Sequence, residues 1–483
     1  MFLLLILFSR FSHLHVVRTT HTEILVALQY DLPGYTSNAV FTQPAFYVSQ
    51  QRAMQRYGSD FSISIQYFQN TSHKTCDDVM ASNVKDISEY LYRQNRTDNC
   101  YLIITNDCND QNGLSSLAAE LDVMMFSLNP GLLMADLLTP NLGPPTTVSV
   151  GQSALGFSMA VLRLLVIHEW YSAVYLTDVS PTGSSFYRDL VYVLFMTAKL
   201  VLRILEMTDE LGMTNGEFVF INVQPLQSPT YGTSAQFTLS ANHAASLSVY
   251  RSLIFITNQA PDNNLSNVNL EIADRARTQF NYTYPEGVQP LNTTIAEMVY
   301  NAVELFALLV NESCHGPMGS CSGLRLAELI TNRTFDLTTR NIYITPGRGR
   351  LVDLDVYAFN TSSSSLEVIG MYDSGERRFS FIPGRSIPWP TRDGKAPRDV
   401  PLCGFSGKEG ICTINEKSTA LIAALAVVAC IVLLIGFSCV TRHYFVKSHL
   451  PADEWKLNNQ DLRIRWVDDN PFRRSMYDDG KTF

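Results

Sequence analysis

The chain has 483 residues, of which 46% are hydrophobic and 17% are charged, and its formal net charge is −9. This acidic balance offers no basic face of the kind that binds nucleic acid, so no nucleic-acid partner is expected. About 400 residues precede the most apolar stretch of the chain, too many for one small core, and two lobes are therefore expected.

The first predicted element is a short apolar run at the N-terminus, from Phe2 to Phe8. Polar residues follow as far as Thr22, which is the arrangement of a signal peptide, although no lysine or arginine precedes the run. We therefore expect a signal peptide over approximately residues 1–21. The alternative is an incomplete N-terminus.

Alternating strands and helices are predicted after this segment. Buried strands are expected at Glu23–Gln29, Tyr101–Asn106, Ala173–Thr177, Tyr192–Met196, Phe218–Val223 and Ser252–Asn258. Amphipathic helices are expected at 153–168, at 198–211 before Gly212, and from Thr294, where Glu297 follows at the spacing of a capping box. This alternation predicts an α/β fold, with parallel sheets covered by helices on both faces.

Motifs for catalysis or metal binding are absent from the sequence. It contains no GxxxxGK[ST] phosphate loop, no HExxH, no GxSxG and no CxxC with accompanying histidines. Ser153 is interpreted as a helix cap, and His168-Glu169 as solvation of a helix end. Arg348-Gly-Arg350 is interpreted as a solvated basic turn. We therefore predict no catalytic residue, no cofactor and no metal site.

The prolines at 383, 388, 390, 397 and 401 exclude a regular helix or a central strand. We predict that residues 383–418 form a stiff juxtamembrane stalk, because proline-rich segments are extended and semi-rigid.

An uncharged run of 22 residues extends from Thr419 to Val440. As a helix it would measure roughly 33 Å, enough to cross the hydrocarbon core of a bilayer. Basic residues follow from Arg442, as expected on the cytoplasmic side. We predict a transmembrane helix at 419–441 and a cytoplasmic tail at 442–483; the alternative is a buried helix of a soluble core.

Asn-x-Ser/Thr glycosylation acceptors occur before this run and none follows it, which predicts that the preceding part faces the secretory lumen. The acceptors are Asn70, Asn95, Asn264, Asn281, Asn292, Asn311, Asn332 and Asn360. The predicted location is the plasma membrane, with a single span and the N-terminus outside.

Nine cysteines are present, of which Cys430 and Cys439 lie in the predicted span. The other seven are Cys76, Cys100, Cys108, Cys314, Cys321, Cys403 and Cys412. Disulfides are their expected use outside the cell, although the sequence does not give the connectivity. Cys314 with Cys321, and Cys403 with Cys412, are close enough to close small loops. The odd number leaves one thiol free or paired between chains.

Two long segments resemble receptor guanylyl cyclases and natriuretic peptide receptors. LGMTNGEFVFIN (211–222) is similar to their ligand-binding region, and IPWPTRDGKAPRDVPLCGF (387–405) to their stalk. Shorter agreements are PDN (261–263), NRTF (332–335) and LRIRW (462–466), the last resembling the opening of a kinase-homology region.

The resemblance implies a bilobed fold of the type I periplasmic-binding-protein kind. It places the ligand-binding region at 22–400, with the first lobe at about 22–148 and 258–345 and the second at about 149–257 and 346–382. It also implies a disulfide between Cys76 and Cys108, which leaves Cys100 as the extra thiol.

Members of this family bind a secreted peptide, usually as dimers, and the larger ones make cyclic GMP inside the cell. The chain stops at Phe483 before any cyclase domain, so no enzymatic activity is expected of it as written. Relatives have an additional helix and strand where only Asp178–Val191 connects two strands here, which weakens the peptide assignment.

The expected function is therefore the sensor part of a receptor guanylyl cyclase. One alternative is a clearance or decoy receptor with a short tail. Another is a receptor for a small, amino-acid-like molecule, for which Ser180, Thr182 and Ser184 would supply polar groups at the cleft.

Overall fold

The structure is a computed structural model whose described residues lie within two compact units, Met1–Pro401 and Leu402–Phe483. The residues described are 20–32, 37–94, 99–105, 108, 111–128, 143–151, 154–174, 176–177, 194–195, 198–214, 216–225, 227–228, 248–261, 265–313, 321–360, 362–391, 393–400 and 411–448. The first unit contains two lobes, each with its own hydrophobic core.

The first lobe is built on a five-stranded parallel sheet in the order β2-β1-β3-β4-β5. Its strands are β1 (Thr20–Ala27), β2 (Phe61–Phe68), β3 (Asn99–Thr105), β4 (Met124–Ser127) and β5 (Thr147–Ser149). From Cys100 onward every residue of β3 is buried, as expected for a parallel strand covered on both faces. The strands predicted at Glu23 and Tyr101 are confirmed.

Helices cover both faces of this sheet. They are α1 (Ala39–Tyr57), α2 (Cys76–Arg93) and α3 (Gln111–Glu120), followed later in the chain by α7 (Ser266–Phe280), α8 (Thr294–Ser313) and α9 (Gly323–Ile330). The helix predicted from Thr294 is confirmed as α8. It is apolar enough to cross a membrane, but most of it is buried against the first lobe, so it is a core helix.

The second lobe has a seven-stranded mixed sheet in the order β15-β14-β13-β9-β8-β7-β6. Its elements are α4 (Ala154–Ile167), β6 (Leu176–Thr177), β7 (Leu194–Phe195), α5 (Ala198–Glu210), β8 (Phe220–Gln224), α6 (Ser248–Arg251), β9 (Leu253–Asn258), β13 (Leu354–Asn360), β14 (Ser365–Asp373) and β15 (Arg378–Phe381). Strands β6 to β9 are parallel, whereas β13 to β15 are antiparallel. Helix α5 ends at Glu210, and Gly212 just beyond it has a left-handed φ of 71°, as predicted for the glycine that follows a helix.

In the described part of the chain, three connections join the lobes, and we call the region where they meet the hinge. The first follows β5 and includes Gly151, where a Cβ atom would lie 2.3 Å from the Leu128 carbonyl oxygen. The second follows β9. The third leaves a small antiparallel sheet of β10 (Arg333–Asp336), β11 (Asn341–Ile344) and β12 (Arg350–Leu351) and enters β13. The α/β fold with two lobes agrees with the sequence prediction, except that the second sheet is not purely parallel.

The proline-rich segment from Pro383 to Val400, here called the strap, packs on the second lobe. Trp389 is 6% exposed and lies in the core of that lobe, edge-on to Trp170 at 5.7 Å between ring centroids. Trp170 Nε1 donates to the Pro397 carbonyl at 2.8 Å, and Asp399 accepts from the backbone N–H of Tyr171 at 2.6 Å. The prediction of a separate stalk is therefore wrong over these residues, because the apolar side chains between the prolines supply core contacts.

His168 belongs to the same cluster. Its ring stacks on Trp170 at 4.6 Å and meets Trp389 edge-on at 5.4 Å. Burial lowers the pKa of His168, so the ring is neutral near pH 7. The interpretation of His168 as solvation of a helix end is wrong: the helix ends where this residue enters an aromatic cluster.

Two disulfides tie the first lobe. Cys76, at the start of α2, bonds to Cys108, as the resemblance implied. Cys100 in β3 bonds to Cys321, with 5.1 Å between the two Cα atoms. The expectation that Cys100 is the extra thiol is therefore wrong, and so is the small loop from Cys314 to Cys321. Gly323 explains the outcome: its N–H donates to the Asp122 carbonyl at 2.9 Å, which holds the start of α9 beside the central strands.

In the second unit, α10 spans Ile411–Ser448. Its stretch Leu421–Phe445 is long and apolar enough to cross a membrane, and none of that stretch is buried against protein. The helix covers the span predicted at 419–441. Among the cysteines of α10 whose surroundings the structure describes, Cys430 and Cys439 are exposed.

Candidate functional site at the hinge

Helix α8 of the first lobe begins against the second lobe. Thr294 N–H donates to the Gln227 carbonyl at 2.9 Å, and Gln227 N–H donates back to Thr294 Oγ1 at 3.0 Å. The same hydroxyl donates to the Pro225 carbonyl at 3.1 Å, just beyond the end of β8. The hydrogen bonds of Thr294 therefore reach across the hinge to the second lobe. They satisfy its backbone N–H, which would otherwise be unpaired at the start of a helix. Its predicted capping-box role is wrong.

Glu297, one turn into α8, is the centre of a buried ion cluster at this hinge. Its Oε1 atom lies 2.8 Å from Arg340 Nε and 3.0 Å from Arg350 Nη2, and it also accepts from Asn301 Nδ2 at 3.1 Å. The exposures of Glu297, Arg340 and Arg350 are 3%, 7% and 1%. We call these three residues the hinge cluster. Glu297 was predicted to close a capping box and instead pairs with side chains far along the chain.

Arg350 links the hinge cluster to the connections between the lobes. It begins β12, and its Nη1 atom lies 3.5 Å from the Val150 carbonyl oxygen at the first connection. Gly349 bridges Ser149 in the same place. Arg350 is fully buried, so its interpretation as part of a solvated turn is wrong. Arg348 donates to the Pro144 carbonyl at 2.7 Å and is not in the cluster.

The hinge cluster holds its charges at neutral pH. Burial by itself raises the pKa of Glu297, but the charges of Arg340 and Arg350 and the hydrogen bond from Arg350 outweigh it, so the pKa lies below its ordinary value. Burial lowers the pKa of Arg350, partly opposed by Glu297. A guanidinium nevertheless stays protonated near pH 7, because its intrinsic pKa lies far above neutrality. The cluster therefore contains one negative and two positive charges.

A cavity of about 60 Å³ lies beside the cluster, and we call it the hinge cavity. Glu297 and Arg340 line it from the first lobe, and Asn258 and Tyr357 from the second. Asn258 ends β9, so the cavity lies outside the carboxyl end of a parallel strand, where open α/β sheets usually bind ligands. Burial, helped by Asp355, raises the pKa of Tyr357, so its hydroxyl is protonated.

Other predicted site residues lie away from the hinge or outside the described residues. Ser153, Ser180, Thr182, Ser184, Asn95, Asn264, Cys314 and Cys403 lie outside them, and so does the proposed pairing of Cys403 with Cys412. The acceptors Asn70, Asn281, Asn292 and Asn332 are exposed, whereas Asn311 and Asn360 are half-buried. Of the acceptors, Asn292 also lines the hinge cavity.

The fold is two-lobed with a cavity at the hinge, and comparison with known proteins gives its relatives. The family described as "Receptor family ligand binding region" matches residues 184–362. The chain is 24% identical over 279 residues to "Receptor-type guanylate cyclase gcy-28" of Caenorhabditis elegans, covering 56% of this chain and 21% of that protein. It is 22% identical over 223 residues to "Atrial natriuretic peptide receptor 2" of Anguilla japonica, covering 45% and 21%.

"Atrial natriuretic peptide receptor 3" of Mus musculus is 23% identical over 202 residues, covering 41% of this chain and 37% of that protein. The resemblance to receptor guanylyl cyclases and natriuretic peptide receptors is thus confirmed, at low identity. The chain covers about a fifth of the length of the first two relatives and about a third of the third.

Solved structures similar to this one include a putative branched-chain amino acid ABC transporter from Rhodospirillum rubrum. Its TM-score is 0.46 at 11% identity, covering 73% of this chain and 100% of that one.

Proposed function

We propose that this chain is the ligand-binding and membrane-anchoring part of a single-pass cell-surface receptor, with its N-terminus outside the cell and a secreted peptide as its ligand. The observation that carries the proposal is the match to a receptor ligand-binding region within a two-lobed fold. The uncovered apolar helix α10 supports membrane anchoring. The choice of a peptide as the ligand is supported by the names of the natriuretic peptide receptor relatives.

Signalling is proposed to run through paired receptors. Peptide binding would change how two copies pack, and the change would pass to α10 and from there to a catalytic part that makes cyclic GMP. The relative named as a receptor-type guanylate cyclase supports this output. The family that matches this chain is described by its ligand-binding region, which supports sensing as the proposed role of the chain itself.

The small-molecule alternative has less support at the hinge. The hinge cavity of about 60 Å³ is less than half the volume of the roughly 150 Å³ cavity that encloses benzene. A whole branched amino acid would not fit without separation of the lobes. A peptide that contacts the outer surfaces of the lobes does not need such a cavity.

The proposal can be tested on cells that express the full chain with one epitope tag after residue 21 and another after Phe483. Antibody staining without permeabilisation should detect the first tag only. Labelled secreted peptides from the same organism should bind saturably, and a panel of amino acids should not compete. Detection of the C-terminal tag outside, or saturable binding of amino acids alone, would contradict the receptor topology or the peptide ligand respectively.

The output can be tested by fusing the chain to the kinase-like and cyclase parts of a relative. A peptide that binds should raise cyclic GMP in cells that express the fusion, and two differently tagged copies should co-purify. Binding without any cyclic GMP response would favour the clearance alternative.

A further inference from the structure

The hinge cluster is electrically unbalanced in a buried place. Arg340 and Arg350 share the single carboxylate of Glu297, and all three side chains are more than nine-tenths buried. Among the described residues, no other carboxylate lies within ion-pair distance of either arginine. Buried charges are normally paired, since an uncompensated charge in the interior is strongly destabilising. The cluster therefore retains one positive charge that the described side chains do not neutralise.

The excess charge faces the hinge cavity through Arg340. This side chain lines the cavity, and although its Nε atom lies 2.8 Å from Glu297, it is off the hydrogen-bond direction and has no hydrogen-bond partner. Asn258 also lines the cavity, is 6% exposed and has an Oδ1 atom without a partner. Its amide nitrogen is already used, donating to the Pro225 carbonyl at 3.0 Å.

We propose that the hinge cavity binds one small monovalent anion, of the size of a halide or formate, against Arg340. The anion would neutralise the remaining charge of the hinge cluster and accept from the unpartnered Nε–H group of Arg340. The N-terminal end of the 20-residue helix α8 lies at the same cavity and adds a positive partial charge.

The volume fits this occupant. A cavity of about 60 Å³ has room for a small anion and a water, since one water needs only about 10–15 Å³ of such space. That water can donate one hydrogen to Asn258 Oδ1 and the other to the anion, which satisfies the remaining unpartnered acceptor. Gluconate, with its six-carbon chain, is too large to enter. Because Arg340 comes from the first lobe and Asn258 from the second, a bound anion would also hold the two lobes in this arrangement.

The test uses the full chain in detergent at fixed pH and fixed ionic strength, with sodium gluconate replaced stepwise by sodium chloride. The thermal midpoint Tm should rise and saturate with chloride, because an anion that binds only the folded state stabilises it. Formate should act like chloride if a carboxylate fits; a response to chloride alone would identify a halide site. Equal Tm values in chloride, formate and gluconate would overturn the proposal and leave water as the occupant.

Two variants locate the site. Arg340→Gln should lose the chloride-dependent rise, whereas Arg333→Gln, an exposed arginine 39% accessible and paired with Glu312, should keep it. Asn258→Asp places a tethered carboxylate in the cavity, although it also removes the amide donor to Pro225, and its Tm should not respond to chloride. Asn258→Asp keeps the proposal testable if Arg340→Gln fails to fold. A full chloride response in Asn258→Asp or in Arg340→Gln would refute binding at this cavity.

Discussion

Replacing Glu297 by glutamine tests the hinge cluster most directly. The change keeps the shape of the side chain and removes its charge, leaving Arg340 and Arg350 buried without a carboxylate. At an effective dielectric of about 20, an ion pair at 3 Å is worth roughly 5 kcal/mol before desolvation. Removing one partner from a buried pair typically costs about 3–5 kcal/mol, because the other charge remains buried. We expect a loss of that size in the free energy of unfolding.

The assay is thermal unfolding of the full chain in detergent, followed by intrinsic fluorescence. A loss of about 3–5 kcal/mol corresponds to a fall in Tm on the order of 10 °C for a lobe of this size. Glu312→Gln is a matched control, since Glu312 lies on the same helix α8 and pairs with Arg333 at the surface. An exposed pair of this kind contributes about 0–1 kcal/mol.

The pH dependence gives a second test with a defined sign. Because the pKa of Glu297 lies below its ordinary value of 4.5, the stability it contributes is fully present above that value. It is lost as the pH falls through the lowered pKa, where the carboxylate takes up a proton. The Tm difference between the wild type and Glu297→Gln should therefore be constant from pH 7 to pH 5 and should become smaller at lower pH. If Glu297→Gln were as mild as Glu312→Gln at pH 7, the argument from buried charge would be refuted.

Three further outcomes are expected. Proteolytic mapping by mass spectrometry without reduction should find a peptide that joins Cys100 to Cys321, and a peptide linking Cys314 to Cys321 would contradict this pairing. Replacing both Cys100 and Cys321 by serine should lower the free energy of unfolding by about 2–5 kcal/mol. Gly151→Ala should destabilise the hinge by about 1–3 kcal/mol, because the added Cβ atom would lie 2.3 Å from the Leu128 carbonyl oxygen. An unchanged Tm would show that the connection can accommodate this Cβ atom. Trp170→Phe removes the donor to Pro397 and should speed trypsin cleavage in the strap, whereas unchanged cleavage would mean that ring packing alone holds it.

Periodic and local patterns predicted most of the backbone. Helix α8 follows from apolar residues at helical spacing, and the end of α5 follows from Gly212, because both signals are local. A capping box does occur in the first lobe, where Thr75 Oγ1 accepts from Asp78 N–H and Asp78 accepts from Thr75 N–H. The same spacing between Thr294 and Glu297 was misleading, because the side chains of both residues bond to partners outside the first turn of α8.

The hinge site could not be predicted because its contacts are distant in sequence. Glu297 meets arginines 43 and 53 positions later, and nothing in the local pattern around Arg350 distinguishes a buried guanidinium from a solvated one. The cysteine pairing failed for the same reason: Cys321 bonds across 221 positions, not to its sequence neighbour.

The bond between Cys100 and Cys321 closes a covalent ring that contains most of the second lobe. During synthesis, Cys108 becomes available to Cys76 after only 32 further residues, but Cys100 must wait for 221. Throughout that interval its thiol has Cys108 as a near neighbour in sequence. The two disulfides of the described residues are therefore not equivalent during synthesis, because the short loop can close before the partner of Cys100 has been made.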